Sequence, residues 1–246
     1  MSPDMKEGTT MQDYRAIEEQ LAKTLGFTRR PVGIAFLESP PDGVARFAGK
    51  EPSGCSFWRL AAEGRTFYTV PSDLFNCAIG SYTHNFTLSP ERARELDQTL
   101  SFMTGIGYIR MDEVPEIERL PERPGVVVYA PLADTPVDPD VVLFGGRAGR
   151  VMLLQEAALR AGLPTQTALM GRPTCMALPA ALARGLVAST ACVGNRVYTD
   201  LGEDELYVVL PGKYLARIAS EAEVIAGANA KLYEYHRERR QTLTIE

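Results

Sequence analysis

Four cysteines, Cys55, Cys77, Cys175 and Cys192, are the residues of this sequence with the widest chemistry open to them. Thiolates bind soft metals and attack electrophiles, and both uses are favoured where backbone N–H groups or positive charge stabilise the sulfur anion. The local sequences supply both. Cys77 is followed by Gly80, and Cys192 by Gly194 and Asn195, so the backbone can approach a sulfur or a bound anion closely. Arg59 follows Cys55, and Arg172 and Arg196 flank Cys175 and Cys192. Four thiolates around zinc or a [4Fe-4S] cluster leave a net charge of about -2, which such arginines would partly offset.

Spacing separates the metals. Structural zinc usually draws its ligands in close C-x2-C pairs, and no such pair exists here, which also removes the thioredoxin-type motif. Ligands taken singly from four strand-end loops suit an iron–sulfur cluster ahead of zinc. The leading expectation is a metal-binding protein whose Cys55, Cys77, Cys175 and Cys192 hold an iron–sulfur cluster, with zinc as the alternative. It would serve electron transfer with a partner or redox chemistry on a small molecule. Arg172, Asn195, Arg196 and Tyr198 would then orient the sulfurs or bind an anion beside them.

Two other readings stay open. In one, Cys77 or Cys192 is a nucleophile or redox thiol and Arg196 holds the carboxylate or phosphate of a small anionic substrate. In the other, the cysteines are buried core, as cysteine often is, and the loops form a non-catalytic site for a small ligand.

Other catalytic groups are sparse. Of the two histidines, His236 lies in the charged run His-Arg-Glu-Arg-Arg, which reads as a solvated helix face. His84 is the better partner for a cysteine nucleophile, although a hydrogen-bonded structural histidine is the plainer reading. No Walker A or G-x-G-x-x-G loop is present. Gly145-Gly-Arg-Ala-Gly-Arg150 reads first as a helix start and second as an anion cradle built with Arg147 and Arg150.

The elements that must position these residues follow from periodicity. Tyr14, Ile17, Leu21 and Leu25 recur at helical spacing within 11–27. Apolar runs at 31–37, 65–70, 125–130, 141–144, 165–170, 185–189 and 205–210 read as strands, and 56–63, 89–102 and 147–161 as helices. Ser72 or Asp73 would cap a short helix carrying Cys77. A C-terminal helical segment over 213–240 would break near Gly227. Strands alternating with helices predict an α/β or α+β fold, a single domain over 1–246 with a mixed sheet covered by helices.

Composition bounds the rest. In 246 residues, 45% hydrophobic content supports a full core, and a net charge of -5 leaves no basic field for nucleic acid. Apolar runs fall far short of the roughly 20 residues that span a bilayer. The N-terminus lacks secretory and lipidation signals, so a cytoplasmic protein without nucleic-acid or membrane partners is expected, compatible with a homodimer.

One internal echo bears on organisation. Asn76-Cys-Ala-Ile-Gly-Ser-Tyr-Thr83 and Ala191-Cys-Val-Gly-Asn-Arg-Val-Tyr-Thr199 share a cysteine, a nearby glycine and Tyr-Thr, and each trails another cysteine. Two pseudo-twofold-related halves would produce this, and so would chance. Together with the Pro31-Val-Gly-Ile-Ala-Phe36 strand, the Cys55 and Cys77 segment and Gly171-Arg-Pro-Thr-Cys-Met-Ala-Leu-Pro179, these segments resemble domain of unknown function family 169 over about 21–219. The resemblance implies a single-domain α/β protein with cysteine-bearing loops and treats the four cysteines as one constellation. It implies no reaction.

Overall fold

A computed structural model describes residues 12–74, 76–112, 117–166, 173–190 and 192–242. The first helix, α1 (Tyr14–Leu25), starts where the Asp13 carboxylate accepts the Ala16 N–H and ends at Gly26 in the left-handed conformation. Its Tyr14, Ile17, Leu21 and Leu25 are buried, as their spacing requires. The strands are β1 (Val32–Leu37), β2 (Phe67–Thr69), β3 (Val126–Pro131), β4 (Val141–Arg147), β5 (Thr165–Gln166), β6 (Val187–Thr190) and β7 (Glu205–Pro211). They form one sheet in the order β2-β3-β1-β4-β7-β6-β5, antiparallel throughout except for the parallel β5–β6 pair.

Side chains alternate across the sheet, and both faces are buried. Val141, Leu143, Tyr207 and Val209 point to one core, with Phe57 and Trp58, while Val142, Phe144, Val208 and Leu210 point to the other. The second core is covered by α1, α5 (Ala148–Arg160) and the first turns of α8 (Leu215–Thr242). The first lies under α2 (Cys55–Ala62), α3 (Ala78–Thr83), α6 (Ala177–Arg184) and α7 (Val193–Thr199). Each fully buried large side chain in these layers contributes about 1.5–3 kcal/mol relative to exposure.

The sheet order is palindromic without β5. Strands β1, β3 and β2 run outward from the centre on one side, and β4, β7 and β6 do so on the other, every matched pair having opposite direction. Both β3 and β7 end in a proline that leads into a 3-10 turn, Leu132–Asp134 and Gly212–Tyr214. A pseudo-twofold axis normal to the sheet therefore passes between β1 and β4, which meet through Val32↔Leu143, Gly33↔Val142 and Ile34↔Val141. The two cysteine-bearing halves are real. The symmetry is broken by α5 and β5, which lie between β4 and Cys175 with no counterpart between β1 and Cys55, and by α4 (Pro90–Gly105), which follows α3 and has no counterpart after α7.

Several expectations need correction. Pro71–Leu74 is a 3-10 turn, and Cys77 precedes the helix it was expected to ride on. The segments after Cys175 and Cys192 are helices α6 and α7, where loops were expected. Helix α8 runs unbroken through Gly227, whose position faces open space and tolerates the loss of about 1 kcal/mol of helix propensity. Of the 165–170 strand, 167–170 lie outside the described residues. No helix among the described residues is long and apolar enough to cross a membrane.

Candidate functional site

All four cysteines line a single cavity of about 430 Å³ on the α2/α3/α6/α7 face. None lies in the body of a strand or in an open loop. Cys55 is the first residue of α2, Cys77 is the N-cap of α3, Cys175 sits in the 3-10 turn Thr174–Met176 before α6, and Cys192 is the N-cap of α7. The pseudo-twofold axis relates Cys55 to Cys175 and Cys77 to Cys192, so each half supplies one inner and one outer thiol.

The outer pair is held by the backbone. The Gly80 N–H donates to Cys77 Sγ at 3.2 Å, and the Asn195 N–H donates to Cys192 Sγ at 3.4 Å. Gly80 is obligatory here, because an added Cβ would stand 2.7 Å from the Cys77 sulfur. Hydroxyls tie each outer cysteine to the inner segment of its own half. Ser53 Oγ lies 3.7 Å from Cys77 Sγ, and the Cys192 N–H donates to Thr174 Oγ1 at 2.9 Å.

The inner pair reaches across the seam. Helix α2 packs on α7, and α3 packs on the Cys175 turn. The Cys55 thiol accordingly lies against the Asn195 side chain, and the Cys175 thiol against the Thr83 hydroxyl. Cys55 and Cys175 are buried, while Cys77 and Cys192 are partly open to the cavity. Burial pushes both inner thiols well above the usual range, and the neighbouring sulfurs push them further. They are neutral as they stand. Among the described residues no three or more His, Cys, Asp or Glu side chains stand in a ready metal-ligating group. The four sulfurs share a cavity wall without being gathered on a common point.

Asn195 is the unusual polar group. It is 1% exposed, it lines the cavity, and neither its amide nitrogen nor its oxygen has a hydrogen-bond partner of good geometry. An unsatisfied buried amide costs on the order of 1–3 kcal/mol per group, which makes this one a candidate contact for a ligand.

The other expected residues are placed as follows. Tyr198 lines the cavity, half-exposed. Arg196 is not on the wall; its guanidinium donates to the Gly202 carbonyl. Arg59 pairs with Glu63, and Arg172 lies outside the described residues. Among the described lining residues none is basic, and Glu95 alone is charged. Any negative charge on sulfur is therefore met by N–H and O–H donors, without help from described arginines.

His84 does not line the cavity. Its ring lies between Phe36 and Phe86, Nδ1 meets the Gly80 carbonyl at 2.8 Å, and Nε2 is buried without a partner. Burial lowers its pKa to about 4. It closes the α3 turn that carries Cys77 and is placed for no dyad. The Gly145–Arg150 loop is the β4–α5 junction on the opposite core, where Arg147 pairs with Asp204.

Sequence reasoning missed the hydroxyls of Ser53, Thr83 and Thr174, and it missed the far wall, formed by Phe102, Met103, Ile106 and Tyr108 at the end of α4. On this wall Phe102 and Ile106 remain 65% and 61% exposed.

A profile of the DUF169 family, described as uncharacterised ArCR, matches residues 20–221. Neither a curated protein nor a solved structure matches the chain.

Proposed function

The chain belongs to the DUF169 family, and from that premise and the geometry of the cavity we propose that it binds an iron–sulfur cluster through Cys55, Cys77, Cys175 and Cys192. The cluster would carry electrons between a partner and a small molecule held in the remainder of the cavity. The observation that carries this reading is the convergence of four thiols, two from each pseudo-twofold half, on one cavity whose described lining holds no histidine and a single carboxylate, Glu95. Four soft sulfurs favour iron–sulfur or zinc over hard cations.

The chain's own part is to supply and steady thiolates. Cluster binding would remove the protons of Cys55 and Cys175, reversing the effect of burial. The Gly80 and Asn195 N–H groups already point at the outer sulfurs, and the Asn195 amide and Thr83 hydroxyl are positioned for the inner ones. Hydrogen bonds to sulfur and exclusion of water are two levers by which a protein sets the potential of such a cluster. The four side chains would have to turn inward together, since they are not gathered beforehand.

The test is iron, acid-labile sulfide and zinc analysis, with an ultraviolet–visible spectrum, on chain purified without oxygen. Iron and sulfide with broad visible absorption, lost when all four cysteines are replaced by alanine, is the expected result. About one zinc per chain would make the tetrad structural. Metal-free protein with one thiol rapidly alkylated near neutral pH would replace the cluster with a cysteine nucleophile at Cys77 or Cys192, the two thiols open to the cavity.

A further inference from the structure

The four cysteines occupy one side of the cavity, and the opposite side has a different chemistry. It is formed by the end of α4, an element without a pseudo-twofold counterpart, with Phe102, Met103, Ile106 and Tyr108 across the cavity from the start of α7. We propose that this wall binds an uncharged aromatic molecule bearing an N–H or O–H group. This deepens the reading above by naming the class of its small molecule, and it rests on that reading for the molecule's role.

Charge argues first. A site for a carboxylate or phosphate needs cationic side chains or a set of converging N–H groups. No described lining residue is basic, and the one charged lining group, the Glu95 carboxylate, is paired with Arg92. Four thiolates around a cluster would add further negative charge. An anion would meet repulsion from the cluster side with no described lining cation to offset it, whereas an uncharged ring would not.

Shape and surface argue next. Phe102 and Ile106 leave most of their area open although they sit on a cavity wall, and Val193 on the facing helix is 63% exposed. Covering one such side chain with a ligand ring removes apolar surface worth about 25 cal/mol per Å². Rings with offset or edge geometry add to this against Phe102 and Tyr108. The volume of about 430 Å³ falls in the range of small-molecule pockets.

Asn195 supplies the polar anchor. Both of its polar atoms lack partners. With its NH2 group turned to the Cys55 sulfur, its carbonyl oxygen remains a cavity-lining acceptor without a partner. A ligand N–H or O–H satisfies that acceptor. A molecule without a donor leaves it buried and bare.

Two probes with one skeleton separate the possibilities. N-phenyl-1-naphthylamine is uncharged and carries an aromatic N–H, and 1-anilinonaphthalene-8-sulfonate adds only a sulfonate. Fluorescence titration of the full chain should give saturable binding of the amine at one per chain, at least about tenfold tighter than the sulfonate. Phe102→Asp, at an exposed position, should weaken the amine about tenfold or more with an unchanged circular dichroism spectrum and Tm. Asn195→Leu should weaken it as well. Equal affinity for the two probes, or amine binding indifferent to both Phe102→Asp and Ile106→Asp, overturns the proposal. Amine binding by metal-free chain would retain the pocket and sink the cluster, and a loaded cluster without amine binding would do the reverse.

Discussion

Cys77 and Cys192 hold equivalent places in opposite halves of the sheet, each as the N-cap of a short helix and each accepting the N–H of the third residue on. Their inner partners, Cys55 and Cys175, are matched in the same way, each reaching over the seam to a side chain of the other half.

This equivalence predicts matched losses. Thr83→Val and Asn195→Leu each remove a polar group that lies against an inner sulfur across the seam, and each should weaken metal retention about 10- to 100-fold. A chelator competition series on the two variants checks this. A strong effect from one and none from the other would mean that the halves do not share the load.

The inner thiols carry a pH signature in metal-free protein. Their folded pKa values are raised, chiefly by burial. The stability they contribute is therefore complete below the unfolded thiol value of about 8.5 and falls as pH rises beyond it. The loss should be about 1.4 kcal/mol per pH unit for each thiol. Urea titrations from pH 8 to pH 10.5 should show this slope, and the paired Cys55→Ala and Cys175→Ala variant should flatten it.

His84 gives the opposite sign. Its folded pKa is lowered by burial to about 4, so the unfolded chain takes up the proton first as pH falls. Stability is complete above the unfolded value of about 6.5 and is lost between there and about pH 4, to a total of roughly 3 kcal/mol. His84→Phe, which fits between Phe36 and Phe86, should remove most of this acid sensitivity. An unchanged acid transition in that variant would assign it to other groups.

Gly212 tests the architecture independently of the site. A Cβ there would stand 1.9 Å from the Pro139 carbonyl oxygen, so Gly212→Ala must push apart the β4 and β7 ends. A loss of about 1–3 kcal/mol is expected from overpacking of this kind, measured by chemical denaturation. Gly227→Ala, facing open space on α8, should instead stabilise by up to about 1 kcal/mol.

Much of the fold was legible because its signals are local. Tyr14, Ile17, Leu21 and Leu25 declare a helix by spacing alone, and the apolar runs of β1, β3, β4 and β7 declare strands buried on both faces. Helices α6 and α7 were not legible. They are short, α6 carries Pro179 in its first turn, and their stability comes from the sheet beneath them. The four cysteines could be grouped from the sequence by their number, their lack of close pairs and the family resemblance, although the helix starts that carry them could not be read. The α4 wall could not, because nothing local says which cavity an apolar helix end will face. Arg196 misled for a similar reason: closeness in sequence to Cys192 did not put its guanidinium on the same side of α7.

The seam between β1 and β4 is only three residue pairs long, and the cysteines divide two and two across it. A group held by all four would act as a clasp, closing a covalent circuit from one half of the chain to the other on that face. Loading and unloading would then be felt as a change in how the halves part. Protease nicking and hydrogen exchange at Val32–Ile34 and Val141–Leu143 would report occupancy of a site that neither strand touches.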